Sequence, residues 1–567
     1  MRFLVFILLL TAAPLAQADT RVRVENIADP ELRAGIHNAI GVLDTNGADR
    51  FRLRQLASSA ADRAGRFLRS EGYYAVRIDP RITAAESVVL HISLGRRFLV
   101  SALDYEVAHL GEFEPHVSQP ILTTGDALRA QSVLDAEAAG LVWLVENGWP
   151  DAQAGERRVV VDHAEASGRV ELTYNAGAYT TFGGFEPPDG TWRYSFLERL
   201  NPFDAGEPVS RARLRTFEQR LEALESVNNA TLTFSPAQAE SSDRDIILTL
   251  DPAPRHVVEA GLSLSTSDGA GVTASWSRRN LRGGDETLTL DAELATLRQG
   301  VDASLRLPHW RRLNQTLTGA LGLQSEDTDA FSQNQASAEF QLTRRLNSAM
   351  TAGAGARVEQ ASISDTAGER DITSLSLGAS IVHDNRDDAL DPHTGWRGTA
   401  LVIPAIAAGD ADTTFLKWEL SASGYLPVMD DVVLAGRIRI GGLAGADALD
   451  LPADDRFYAG GGGSVRGFEF QSLSPRDASG AIIGGRSLAE ISAEIRWRGE
   501  GRWGAVAFAD AGAAEAGTTP SFSEFDYAIG VGARYYLGFA PLRLDLAMPL
   551  SGASNDPQIY ISFGQAF

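Results

Sequence analysis

From residue 255 to residue 567 apolar and polar residues alternate with a period of two, broken by short clusters of Gly, Asn, Asp and Ser. Leu288, Leu290, Ala292 and Leu294 alternate with Thr289, Asp291 and Glu293. Leu416, Trp418, Leu420 and Ala422 alternate with Lys417, Glu419, Ser421 and Ser423. Such alternation builds strands with one apolar and one polar face. Sixteen of these segments can be read, starting near 256, 270, 285, 300, 314, 333, 349, 372, 396, 414, 432, 486, 502, 525, 541 and 557. A membrane-crossing strand needs ~9–11 residues plus a turn or loop, and the stretch supplies roughly 20 per strand. Past residue 18 no apolar run is long enough for a spanning helix, so a membrane could be crossed only by a closed β-barrel. A soluble solenoid or propeller would need a fixed repeat, and none is visible.

Ahead of the barrel the chain reads differently. Arg2 precedes the apolar run Phe3–Leu10, and Ala16-Gln17-Ala18 supplies a small-x-small cleavage site, so residues 1–18 are expected to be a secretory signal peptide. Between 19 and 254, strand-like and helix-like segments alternate three times. The first set runs strand Arg21–Asn26, helices Pro30–Leu43 and Leu53–Ser70, then strands Tyr73–Ile82 and Ser87–Ser93. The second runs strand Phe98–Val107, a helix Asp126–Asn147 with Asp126 as N-cap and Gly148 as stop, then strands Arg157–His163 and Arg169–Tyr174. The third runs strand Thr180–Phe185, helical stretches Trp192–Leu197 and Val209–Leu224, then strands Asn229–Phe234 and Asp245–Leu250. Three similar α+β domains in tandem are expected, at 19–96, 97–177 and 178–254, followed by a sixteen-stranded antiparallel transmembrane β-barrel at 255–567.

Charge and composition remove several function classes. Acids outnumber bases by 74 to 51, giving −23, so no nucleic-acid partner is expected. Lys417 is the lone lysine. Cysteine is absent, which excludes disulfides, Cys-ligated zinc, iron–sulfur clusters and thiol chemistry. An exported chain without disulfides fits the envelope of a Gram-negative cell. His383-Asp384-Asn385-Arg386-Asp387-Asp388 with Asp391 and His393 lacks the Gly and the spaced Glu of a calcium loop and reads as a strand end and turn. Gly462–Gly467 is no phosphate loop, because Phe468 stands where a lysine is required. Gly462-Gly463-Ser464-Val465-Arg466 misses the nucleophile elbow by its last residue. No enzyme, cofactor or metal is expected.

One connection is anomalous. About forty residues (444–485) with little strand character separate two strands, and a stretch of that length is usually functional. It contains Arg456-Phe457-Tyr458-Ala459, four glycines at 460–463, and Ser464-Val465-Arg466-Gly467-Phe468. The run 456–468 resembles the signature of the outer-membrane β-barrel assembly family, whose long sixth extracellular loop folds back into the barrel and presents a V-R-G-F/Y tip. The three units ahead of the barrel resemble that family's periplasmic polypeptide-transport-associated (POTRA) domains. Asp384-Asn385-Arg386-Asp387 with Pro392 and Gly395 is similar to the family's D-x-R-D…P-x-x-G stretch. The terminal Gly564-Gln565-Ala566-Phe567 is similar to that of TamA-type members.

This resemblance implies roles for particular residues. Val465, Arg466, Gly467 and Phe468 would form the tip of an inward-folded loop. In strand 486–498, Ala489, Ile491, Ala493, Ile495 and Trp497 form one face, leaving Glu490, Ser492, Glu494 and Arg496 pointing into the lumen. Phe508, Asp510 and Gly512 share a face of the next strand and match the family's F-x-D-x-G pattern. Arg466 would then be an anchor held by Glu494 and Asp510, a task that suits the planar guanidinium fork. Gly564, so near the end of the terminal strand, would weaken its pairing, and Phe567 matches the C-terminal aromatic of outer-membrane barrels.

By this resemblance the chain is expected to sit in a Gram-negative outer membrane with its POTRA domains in the periplasm. It would assist insertion and translocation of β-barrel proteins and autotransporters through a lateral seam. An inner-membrane-anchored TamB-like protein would dock on the first POTRA domain, with outer-membrane lipids as further partners. Two alternatives remain: a two-partner-secretion transporter exporting substrate through the lumen, whose relatives usually carry two POTRA domains, and a phospholipid-transport component.

Overall fold

The structure is a computed structural model that describes residues 22–43, 48–83, 87–108, 111–112, 121–188, 190–236, 242–265, 269–410, 412–538, 541–551 and 556–563. The expected signal peptide (1–18) and the terminal residues Gly564 and Phe567 lie outside them.

The first elements follow the expected order: β1 (Val22–Glu25), α1 (Pro30–Ile40), α2 (Arg50–Ser70), β2 (Arg77–Ile82) and β3 (Val88–Ser93). β1 pairs parallel with β3, and β2 pairs antiparallel with it, so the helices form the crossover that a parallel pair requires. Aspartates cap both helices. Asp29 accepts from the backbone N–H groups of Glu31 and Leu32, with Pro30 in the first turn, and Asp49 accepts from that of Arg52. α2 buries Leu53, Ala57, Ala60, Ala64 and Leu68, a stripe at helical spacing.

The second set is β4 (Leu99–Val107), β5 (Gly111–Glu112), α3 (Ala130–Glu146), β6 (Gln153–Asp162) and β7 (Ser167–Asn175), in sheet order β5-β4-β7-β6. Here the expected cap moves. Helix α3 starts four residues after Asp126, and its N-cap position, Arg129, makes no side-chain bond. Asp126 instead accepts from Thr123 Oγ1 at 2.8 Å and Thr123 N at 2.7 Å, bonds that hold its carboxyl below the usual carboxylate range. The side chain closes a turn before the helix rather than capping it. At the other end Gly148, with φ +106°, breaks the helix where expected.

The third set is β8 (Thr181–Glu186), α4 (Tyr194–Leu200), α5 (Arg211–Glu222), β9 (Val227–Phe234) and β10 (Asp243–Pro252), in sheet order β8-β10-β9. It is not segregated from the barrel. The chain divides into two compact units, and residues 187–201, 218–231 and those from 248 onward belong to the second, with the barrel. Within that unit Arg193 N donates to Gly283 O at 2.7 Å, and Asp285 accepts from Ser226 N at 2.8 Å.

The barrel comprises β11 (His256–Ser265), β12 (Gly269–Arg279), β13 (Thr287–Ala295), β14 (Arg298–Leu307), β15 (Gln315–Asp327), β16 (Ser332–Arg345), β17 (Met350–Asp365) and β18 (Gly368–Asp384). It continues with β19 (Gly395–Gly409), β20 (Thr413–Met429), β21 (Val432–Ala444), β22 (Ser487–Arg498), β23 (Trp503–Glu515), β24 (Asp526–Tyr536), β25 (Pro541–Pro549) and β26 (Gln558–Phe563). Each strand pairs antiparallel with the next, and β11 meets β26 to close the sheet. The alternation sorts as expected: Ile491, Ile495 and Trp497 of β22 face outward at 42%, 55% and 47% exposure, while Glu490, Ser492, Glu494 and Arg496 are buried inside.

Two features break the regularity of this wall. Strands β11–β14 run 10, 11, 9 and 10 residues, whereas β17, β18 and β20 run 16, 17 and 17. The closure is also thin. Among the described residues β11 and β26 share two residue pairs, Leu264↔Ile561 and Ser265↔Tyr560, against ten between β11 and β12.

Candidate functional site

Between β21 and β22 the chain runs through residues 445–486 without a strand, opening with single 3₁₀ turns at Ala448–Asp450 and Ala453–Asp455. It is not a solvated loop. Leu451, Ala453, Phe457, Ala459 and Ile482 are buried in a cluster with Phe331, Ile363, Phe415 and Leu488, which are inward residues near the strand ends. The loop therefore supplies a hydrophobic core to the inside of the barrel.

An arginine fixes the first part of the loop. Arg456 is fully buried. Its Nη2 lies 2.7 Å from Asp365 Oδ2 at the end of β17 and also donates to Leu451 O, while its Nη1 donates to Ile483 O. Asp365 keeps a second partner in Arg370. Arg456→Ala is therefore expected to cost about 1–3 kcal/mol, the penalty for leaving buried carbonyls unmet. The loop around 445–460 should become cleavable by added protease while the barrel stays folded. An uncleaved loop would show that this anchor is redundant.

A second arginine fixes the tip. Arg466 is buried, and its guanidinium meets carboxylates on three strands. Nε and Nη2 bond Asp510 of β23 as a fork, at 2.7 and 2.9 Å. Nη2 also lies 2.8 Å from Glu494 Oε1 of β22 and 3.2 Å from Ser492 Oγ, and Nη1 is 3.3 Å from Asp545 Oδ2 of β25. The plane rests on Phe508, with Cζ 3.5 Å from the ring centroid. Further cations compensate the acids: Arg496 binds Glu494 at 2.7 Å, and Arg534 and Arg543 bind Asp545. The result is a desolvated charge lattice in which removing one member leaves others unpaired.

The neighbours of Arg466 make this approach possible. Gly467 has φ +99°, and a Cβ there would stand 2.9 Å from Ala528 Cβ. Its N–H donates to Tyr560 Oη of β26 at 3.0 Å. Val465 and Phe468 pack with Ala528. Gly512 of β23 leaves room for Val465, whose Cγ2 would be 2.9 Å from a Cβ at that position.

Sequence reasoning named Val465, Arg466, Gly467, Phe468, Glu494, Phe508, Asp510 and Gly512, and the structure brings all of them to one place. It did not name Asp545, Tyr560, Ser492 as a ligand, or the pair Arg456–Asp365. Arg456 opens the same motif, so its position was a usable signal. Asp545 carried none beyond facing inward. The Asp384–Asp387 stretch lies apart as a hairpin turn. Arg386 forks onto Asp384 with two bonds of 2.8 Å, and Asp387 accepts from the N–H groups of His393 and Thr394. Those carboxylates are occupied by the protein's own donors.

Comparison with known proteins agrees with this architecture. Residues 280–567 match the Omp85 superfamily domain. The outer membrane protein assembly factor BamA of Nitratidesulfovibrio vulgaris is 26% identical over 385 residues, covering 64% of this chain and 48% of that protein. The chain thus spans about half the length of the curated relative it matches. BamA from Haemophilus ducreyi lacking POTRA domains 1–3 aligns with a TM-score of 0.67 at 15% identity, over 82% of this chain and 100% of that one, a likeness of fold. CdiB from Escherichia coli reaches a TM-score of 0.48 at 15% identity, over 95% of this chain and 99% of that one, too loose a likeness to build on.

Proposed function

This chain belongs to the Omp85 superfamily, and from that premise we propose that it is an outer-membrane assembly factor of the TamA type. It inserts β-barrel proteins and autotransporters through its β11–β26 seam. The observation that carries this reading is the seam itself: among the described residues β11 and β26 share two residue pairs, against six between β25 and β26 and more at the other barrel junctions. Strands that leave the ladder expose backbone N–H and C=O groups, and an incoming client strand satisfies them by β-augmentation. No nucleotide or enzymatic step is needed, because the client's own strand pairing and burial supply the free energy.

The segments at 19–96, 97–177 and 178–254 act as periplasmic POTRA domains in this reading. β6 supports a receptor role: it lies at the edge of its sheet, and its ten residues are almost wholly exposed. An inner-membrane-anchored TamB-like partner docks on the first domain, in line with the family resemblance. Val465–Phe468 act as the loop anchor, and Glu494, Phe508, Asp510 and Gly512 as its lumen seat, keeping the lumen filled while the wall opens. Gly564 and Phe567, outside the described residues, keep the terminal-strand roles that the family resemblance implies.

Reconstitution tests the proposal. The full chain in liposomes should speed the folding of a urea-unfolded client barrel at least severalfold over empty liposomes, read as the heat-modifiable band on a gel. A client that folds no faster with the protein than without it would sink the reading.

A further inference from the structure

At the end where the chain enters the barrel, the β12–β13 turn (residues 280–286), the β14–β15 turn (308–314) and α4 enclose a pocket of about 440 Å³. Its walls divide by chemistry. Leu305 and Leu307 come from the outward face of β14, the face that meets lipid, and Leu305 is 37% exposed. Arg193, Arg199, Arg282 and Arg311 also line the pocket.

The charge there is not balanced. Arg193 is engaged by Glu286 at 2.6 Å, and the other oxygen of Glu286 accepts from the N–H groups of Arg282 and Gly284. No carboxylate lies within ion-pair distance of Arg199, Arg282 or Arg311 among the described residues. Arg199 lies over the ring of Phe196, and Arg311 lies over Trp310 at 4.5 Å. Three uncompensated guanidinium groups converge on a chain whose net charge is −23. Burial, with the guanidinium groups of Arg199, Arg306, Arg220 and Arg345 around it, holds His309 down to about 4.

We propose that this pocket holds an anionic phospholipid of the periplasmic leaflet, its phosphodiester bound by Arg199, Arg282 and Arg311 and its acyl chains lying along Leu305 and Leu307. Guanidinium forks match phosphate oxygens. Trp310 also lines the pocket, and indole rings favour the boundary between hydrocarbon and water. Basic pockets beside apolar membrane-facing surface take lipid headgroups by the same physics. The pocket's position on the outward face, at the foot of the short strands, leaves acyl chains a continuous apolar path. This inference rests on the barrel's placement in a membrane and is independent of whether the seam opens.

Native mass spectrometry of the delipidated full chain tests it, titrated separately with phosphatidylglycerol, phosphatidylethanolamine and the water-soluble glycerophosphoglycerol. Phosphatidylglycerol should bind most tightly, and the soluble headgroup should not bind at the same concentrations. The triple variant Arg199→Gln, Arg282→Gln, Arg311→Gln should weaken phosphatidylglycerol binding roughly tenfold or more. A control triple on α2, Arg52→Gln, Arg54→Gln, Arg66→Gln, should change nothing, with heat-modifiable mobility confirming the fold of each. Should the pocket triple not fold, the single Arg311→Gln must lower affinity in the same direction. Equal binding by pocket and control variants overturns the proposal. Binding of the soluble headgroup as tight as the lipid's makes this a phosphate site and overturns the lipid assignment.

Discussion

A chain carrying Leu264→Cys and Ile561→Cys is expected to stop inserting clients when oxidised and to resume when reduced. The two positions are direct register partners across the closure. Antiparallel partners have Cα atoms roughly 4.5–5.5 Å apart, inside the span a disulfide bridges. The native chain has no cysteine, so no competing bridge can form. Under the seam mechanism the effect is all-or-none, because a covalent closure leaves no edge for a client strand. The readout is client folding in liposomes, with heat-modifiable mobility checking that the locked barrel is intact. Cargo that still moves through a fully oxidised, folded barrel would rule out the wall as the route. Export through the lumen, as in two-partner secretion, would then explain the transport.

Arg466→Ala is expected to have the largest effect of any single substitution. It strands Asp510, Glu494 and Asp545 around an empty, desolvated site. Truncating one member of a buried charge cluster typically costs ~3–5 kcal/mol. Arg496, Arg534 and Arg543 compensate Glu494 and Asp545 in part, but among the described residues Asp510 keeps only Ser492 and the backbone N–H of residue 466 as donors. Asp510→Asn added to Arg466→Ala should therefore recover part of the loss. Arg466→Lys should fall between, since a point charge can neither fork onto Asp510 nor lie flat on Phe508. Urea titration of the folded band measures all four chains. An Arg466→Ala barrel as resistant as wild type, or a double variant weaker than the single, would falsify the charge-lattice account.

How much of this was legible beforehand depended on the range of each interaction. Period-2 alternation is local, and the sixteen strands start within about four residues of where the pattern put them. Glu494 and Asp510 could be assigned to the lumen because each shares a face with apolar-alternating neighbours. Their meeting with Arg466 could be stated only through a family motif. Asp545 was invisible for a geometric reason: it lies 79 residues from Arg466, and only the closing of the barrel puts β25 opposite the loop tip. Asp365, 91 residues before Arg456, was hidden in the same way. Asp126 failed for the opposite reason, since a strictly local bond to Thr123 outcompeted capping. The register of β11 against β26 cannot be read at all from two strands whose side chains merely alternate.

The attachments of the inner loop are lopsided. Arg466 and Gly467 bind residues of β22, β23, β25 and β26, and among the described residues none of their partners lies on β11 to β14. The loop therefore braces one jamb of the seam and leaves the other unbraced. Under the proposed seam mechanism, β22–β26 and the loop would move as one stiff panel, with Tyr560 carrying the brace to the edge strand itself. The compliance of the wall then resides in the opposite panel, β11–β14, which the loop tip does not brace. Opening is then a one-sided swing, and the edge offered to a guest strand by the braced panel keeps its shape throughout.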